Sequence, residues 1–142
     1  MKTFFYSFFI LILSYNVFAK ELTEVERGRR ASLSIRIANY SEKTVRELPA
    51  TFKADIEQFA KFKLTEANDL ELVKNVVKIL LIVDVPEKDG GDPSRMTLDW
   101  VQPSYVLHPA LFNKAFKQLD NPKNHKQLVA FKKILEVAEI EN

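Results

Sequence analysis

Apolar residues recur at helical spacing in five stretches of the chain, separated by polar breaks of which most carry proline. The first opens on Thr23-Glu24-Val25-Glu26, the form of a capping box in which Thr23 and Glu26 satisfy each other's free amides. Leu33, Ile37 and Tyr40 then follow at spacings of four and three, as on one side of a helix. Leu33, Ile35 and Ile37 also alternate with Ser34 and Arg36, which is the period of a strand. A helix running from about Glu24 into the thirties is expected, with a short strand near 33–37 as the alternative. Ser41 is placed to cap a short segment holding Val45 and Leu48, closed by Pro49.

Phe52, Ile56, Phe59 and Ala60 mark a second helix between Thr51 and Leu64. Thr65 introduces Glu66-Ala67-Asn68-Asp69, whose acids suit the positive end of a helix. The run LELVKNVVKILLIVDV from Leu70 to Val85 is the expected central core element. Its β-branched tail, 79–85, leaves a buried strand open there. Pro86 to Ser94 reads as a loop, and Arg95 to Val106 has no clear period. Pro109, after His108, suits the first turn of a helix whose apolar face is Leu111, Phe112, Ala115, Phe116 and Leu119. Asn121-Pro122 repeats that signal ahead of a last helix carrying Leu128, Phe131, Ile134 and Leu135.

These stretches predict a mainly α fold, a single compact domain of about five helices over residues 20–142. The alternative is α+β, with strands at 33–37 and 79–85. Only three glycines, Gly28, Gly90 and Gly91, are available for the tight turns that a hairpin-rich fold needs.

The first 19 residues follow a different logic. Lys2 precedes FFYSFFILIL, and Val17 and Ala19 stand at the small-residue positions of a cleavage site. A helix spanning a bilayer needs about 20 apolar residues, more than the interrupted run from Phe4 to Phe18 offers. A cleaved secretory leader over 1–19 is therefore expected, giving a periplasmic or secreted protein with no stable membrane anchor after cleavage. Five of the eleven phenylalanines lie in this leader, so what remains is less aromatic than the whole. Lys2 is the leader's only charged residue, and without it the formal charge falls from +2 to +1. A near-neutral exported domain has little reason to bind nucleic acid. The chain has no cysteine, so its core must hold without disulfides.

Candidate chemistry is sparse. No serine lies in a G-x-S-x-G turn, and His108 and His125 both flank helix starts. No zinc pattern is present, and no cofactor is expected. Glu87, Asp89 and Asp92 bracket two glycines but lack the register of a calcium loop. Asp84 and Asp99 are the acids nearest apolar neighbours, which would suit a small envelope hydrolase. Arg27, Arg29 and Arg30 form a cluster able to face carboxylates or phosphates, or to pair with Glu21, Glu24 and Glu26 along their own helix. Trp100 and Tyr105 lie among Pro93, Pro103 and Pro109, where a stiffened loop could offer aromatic area to a partner or be pinned over the core.

The expected function is a non-enzymatic module that binds a protein partner in the cell envelope. It would act through an exposed loop from Glu87 to Val106, with Trp100, Tyr105, Asp89, Asp92, Arg27, Arg29 and Arg30 as candidate binding residues. In size and address the chain is similar to small periplasmic immunity proteins, and an inhibitor is the neighbouring possibility. A small hydrolase of cell-wall material and a holdase-type chaperone are the alternatives, and the sequence leaves the oligomeric state open.

Overall fold

A computed structural model describes residues 21–84 and 96–141. The expected leader at 1–19 and the loop candidates Asp89 and Asp92 lie outside the described residues. Among the described residues seven α-helices follow in order: α1 (Glu24–Ala38), α2 (Glu42–Arg46), α3 (Ala50–Lys61), α4 (Glu66–Asp84), α5 (Gln102–Leu107), α6 (Pro109–Leu119) and α7 (His125–Glu141). A single turn of π-helix, Thr97–Val101, leads into α5.

The mainly α reading holds, and among the described residues there is no strand. Residues 33–37 belong to α1. Leu33 and Ile37 are fully buried while Ile35 is 61% exposed, so the alternation at this point had put one apolar residue on the solvent side of a helix. Residues 79–84 continue α4. Its β-branched residues are numerous because the helix is covered on several sides, packing against α1, α2, α6 and α7.

The helix count exceeds five for two reasons. Ser41 does cap a segment, accepting from the Thr44 amide at 3.1 Å, and that segment is the five-residue α2. The stretch from 96 to 107 is helical throughout rather than an exposed loop. Its buried positions include Thr97, Gln102 and Ser104, and these polar residues conceal the apolar period of Met96, Val101 and Tyr105.

The start signals act as the sequence implies. Thr23 and Glu26 close the capping box of α1, each side chain 3.1 Å from the other's amide. The Asn121 carboxamide oxygen accepts from the amides of Lys123 and Asn124 at 2.9 and 3.0 Å, and α7 proper begins after that turn, at His125. His108 stands at the cap position of α6, but its side chain makes no capping hydrogen bond. Leu48, just past α2, adopts φ = 48°, a left-handed conformation costly for a branched side chain. It is held there by packing against the core and by its backbone N–H, which donates to the Val45 carbonyl at 3.0 Å.

The core is one cluster whose aromatic centre is Phe112 of α6. Edge-to-face contacts join it to Tyr105 at 5.6 Å and Phe59 at 6.4 Å, and Phe116 lies 6.4 Å away in a tilted contact. Phe116 in turn meets Phe131 of α7. One ring thus ties α3, α5 and α6 together. Phe112→Ala would empty that centre, since Phe112 is fully buried. We expect a loss of roughly 3–5 kcal/mol, read in denaturant unfolding as a lower midpoint with an unchanged slope.

Candidate functional site

The arginine cluster does not act as a unit. Arg30 joins Leu33 and Ile37 on the buried side of α1 and is only 7% exposed. Its Nε lies 2.9 Å from the Asp69 Oδ1 in the first turns of α4, and Asp69 is wholly buried. Those two atoms attract as charges without an aligned hydrogen bond. The remaining polar atoms are better directed. Arg30 Nη2 donates to the Lys63 carbonyl at 3.0 Å, and Asp69 Oδ2 accepts from the Thr65 amide at 2.7 Å. The guanidinium also lies over the Phe62 ring, 4.6 Å from its centre, a cation–π contact. Pairing with Glu26 along α1 is therefore corrected for Arg30: Glu26 is engaged in the capping box, and Arg30 points inward.

Arg27 and Arg29 are exposed, with no ion pair among the described residues. Arg27 faces a groove of about 350 Å³ between α1 and α4. Arg30, Ala31, Ser34 and Ile35 line it from α1, and Asn68, Glu71 and Leu72 from α4. Arg29 lies outside it. Two polar contacts close the helices beneath the groove: Arg30 with Asp69, and Asn75, whose Nδ2 donates to the Ser34 hydroxyl at 2.8 Å. Between them the groove keeps an exposed Ile35, a buried Leu72 and a cationic rim. This surface requires residues 41 apart in sequence to meet, and the one local hint of it was Ile35 breaking the helical stripe.

The other flank of α1 carries a second polar cluster. Arg36 donates to Asp55 Oδ1 of α3 from Nε and Nη2, at 3.3 and 3.2 Å, and to Gln58 at 3.1 Å. The Tyr40 hydroxyl donates to Asp55 Oδ2 at 2.8 Å. Loss of solvent around Tyr40, reinforced by this bond to a carboxylate, raises its pKa above the ordinary value of about 10.

The aromatic candidates are placed differently from the expectation. Tyr105 is 5% exposed, stacks edge-on to Phe112 and sits 3.4 Å from a Glu136 carboxylate oxygen, so it belongs to the core and not to a binding loop. Trp100 is half-buried on the π-helical turn and packs against the same core. Between 96 and 107 the large apolar side chains that reach solvent are those of Val106 and Leu107.

The candidates for catalysis are dispersed in role. Asp99 is exposed, His108 is half-buried at the α5–α6 corner, and Asp84 closes α4, its side chain lying outside what is described. His125 Nδ1 lies 2.9 Å from Asp120 Oδ1, on the surface. Among the described residues no three of His, Asp or Glu gather as they would around a metal ion. No protein-family model, curated protein or solved structure matches the chain.

Two predictions follow from the polar clusters. Arg30→Ala would leave Asp69 buried without its counter-charge and should cost roughly 3–5 kcal/mol of stability. In chemical unfolding, the double variant Arg30→Met with Asp69→Asn should recover at least about 1 kcal/mol of that, because no net charge is then stranded. For Tyr40, the folded state holds the phenol proton to a higher pH than the unfolded chain does. Its stabilising contribution is therefore complete below about pH 10 and is lost as pH rises through the raised folded value. Unfolding midpoints between pH 8 and pH 11 should show the gap between wild type and Tyr40→Phe closing at the alkaline end.

Proposed function

We propose that this chain is an exported, non-enzymatic module of the cell envelope that binds a protein, as an inhibitor or immunity protein does, and that the binding face is the α1–α4 groove. The observation that carries this reading is the combination found there: Ile35, 61% exposed in the wall of the groove, beside an Arg27 that no described side chain neutralises. Monomeric surfaces bear scattered apolar residues, but one that lines a groove with a cation at its rim fits a partner more specifically. The fitting partner segment presents an apolar side chain toward Ile35 and Leu72, with a carboxylate toward Arg27, whose fork suits bidentate pairing.

Other features favour this over the alternatives. Most large apolar side chains of the described helices converge into one core, where a holdase would keep a concave apolar face open for clients. The buried carboxylates, Asp55 and Asp69, are both engaged by arginines that join helices, an assignment that suits architecture better than hydrolysis.

The test uses the chain from Lys20 onward as bait for envelope proteins, with a photo-cross-linking residue at position 35 and, as control, at Lys53 on α3. A single discrete adduct from position 35, with affinity for that protein lowered at least about tenfold by Ile35→Asp or Arg27→Glu and kept by Trp100→Ala, is the expected result. Both groove positions are exposed, so folding should be unaffected. Binding that ignores the groove variants and disappears with Trp100→Ala would return the site to the 96–107 segment.

A further inference from the structure

The second charged surface of the molecule lies at the opposite end of the chain. Residues 109–141 hold six lysines against four acids, Asp120, Glu136, Glu139 and Glu141, and five of the six lysines lie between 114 and 132, where Asp120 is the one acid, while residues 20–108 are slightly acidic. These lysines sit on the hairpin of α6 and α7, whose inner faces meet through Phe116 and Phe131. Lys114 is paired with Glu66 of α4 at 3.2 Å, and Lys132 approaches Glu136 at 3.9 Å. Lys117, Lys123, Lys126 and Lys133 are exposed and have no ion pair among the described residues.

Their positions run against local helix electrostatics. The N-terminus of a helix is positive, and α1, α2 and α4 place acids in their first turns. The 17-residue α7 has none there, and instead has Lys123 in the turn before it and Lys126 at its second position. Like charge is thus concentrated at the α6–α7 corner, and such a local conflict is characteristic of surfaces kept for binding. Lys126, Val129 and Lys133 then fall at i, i+3 and i+7, on one solvent-facing stripe with Val129 41% exposed between the two cations.

We propose that this face of α6 and α7 docks the protein onto an anionic phospholipid surface. The residue type decides between partners. All six cations of the hairpin are lysines, whereas α1 uses arginine at four positions. Arginine's rigid fork selects individual carboxylates, while lysine is a flexible point charge that serves a diffuse layer of phosphates. The attachment is peripheral: among the described residues no helix is long and apolar enough to cross a membrane, and Val129 is the one large apolar side chain on the stripe to enter the headgroup layer.

Each basic residue near an anionic leaflet contributes roughly a fivefold factor in partitioning. The test is co-sedimentation of the chain from Lys20 onward, which contains every described helix, with vesicles of phosphatidylcholine alone or with one third phosphatidylglycerol. Binding to the mixed vesicles only, falling steeply between 50 and 300 mM salt, is expected. Lys117→Gln with Lys126→Gln should lower it at least about tenfold, and the four-lysine variant should abolish it. Lys43→Gln with Lys53→Gln, elsewhere on the surface, should leave it intact. Binding of pure phosphatidylcholine to the same extent, equal loss in the control variant, or no binding to either vesicle would overturn the proposal. So would full release by soluble polyphosphate at charge equivalence, which would identify a free phosphate polymer as the ligand. Ile35→Asp should bind vesicles normally, so failure of the groove reading and failure of this one are separable.

Discussion

The ion pair between Arg30 and Asp69 constrains the rest of the molecule, because two opposite charges withdrawn from water are tolerated only in the geometry that satisfies them. Asp69 is wholly buried and Arg30 nearly so. Removing either charge from solvent is expensive, and the compensation comes from three directions. The Lys63 carbonyl takes one guanidinium nitrogen, the Phe62 ring covers its face, and the Thr65 amide occupies the second oxygen of Asp69. All three lie in the connection from α3 to α4. The first helix can therefore settle in one place along α4, since any slide along it would strand both charges. The Ser34–Asn75 hydrogen bond follows further along in the same direction, so the two helices run roughly parallel. The groove above these contacts is a consequence: large polar groups occupy the contact where apolar side chains would have drawn the helices flush.

The basic residues divide by what they must recognise. Arg30 and Arg36 sit on either flank of α1 and hold α4 and α3 through carboxylates that are largely shielded from water. Bidentate, directional donors suit that work. The hairpin of α6 and α7 leaves four of its six lysines without an ion pair among the described residues, and apolar rings join it to α3 and α5. Surface pairs such as Lys114–Glu66 contribute little in water, so the lysine face is free of structural duty. Two outward surfaces of different character result, one narrow and amphiphilic, the other broad and cationic.

How much of this the sequence discloses depends on the range of the interaction. Caps are local, so Thr23, Ser41, Asn121 and Pro109 mark their helices correctly. The stripe Phe52–Ile56–Phe59 is equally legible, because a helix buried on one side displays its period. The 96–107 stretch hides its helix for two physical reasons. A π turn shifts the register by a residue, and Thr97, Gln102 and Ser104 occupy inward positions that a periodicity argument reserves for apolar groups. Arg30 is the sharper case. It continues the Leu33–Ile37 stripe three residues upstream, which signals an inward arginine, yet its partner is 39 residues away and lies within reach only after folding. Tyr105 misled for the converse reason: proline neighbours suggested a stiff loop, while Pro103 in fact sits at the start of α5.

A domain without cysteine must locate its helices by other means, and long-range polar contacts do so at three of the joins. Arg30 fixes α1 on α4, Asp55 draws Arg36 and Tyr40 of the α1 end onto α3, and Gln102 fixes α5 on α7. The Gln102 carboxamide donates to the carbonyls of Ile134 and Leu135, 3.3 and 3.0 Å away, from a position 6% exposed. Apolar burial supplies the driving force but tolerates many registers of similar volume. A buried donor tolerates few, because every misplacement leaves it without an acceptor. The helices are thus held together by the phenylalanine-rich core and aligned by a handful of inward polar side chains. That alignment needs nothing from the outer faces of α1 and α7, and so those faces can carry the isoleucine and the lysines that the core has no use for.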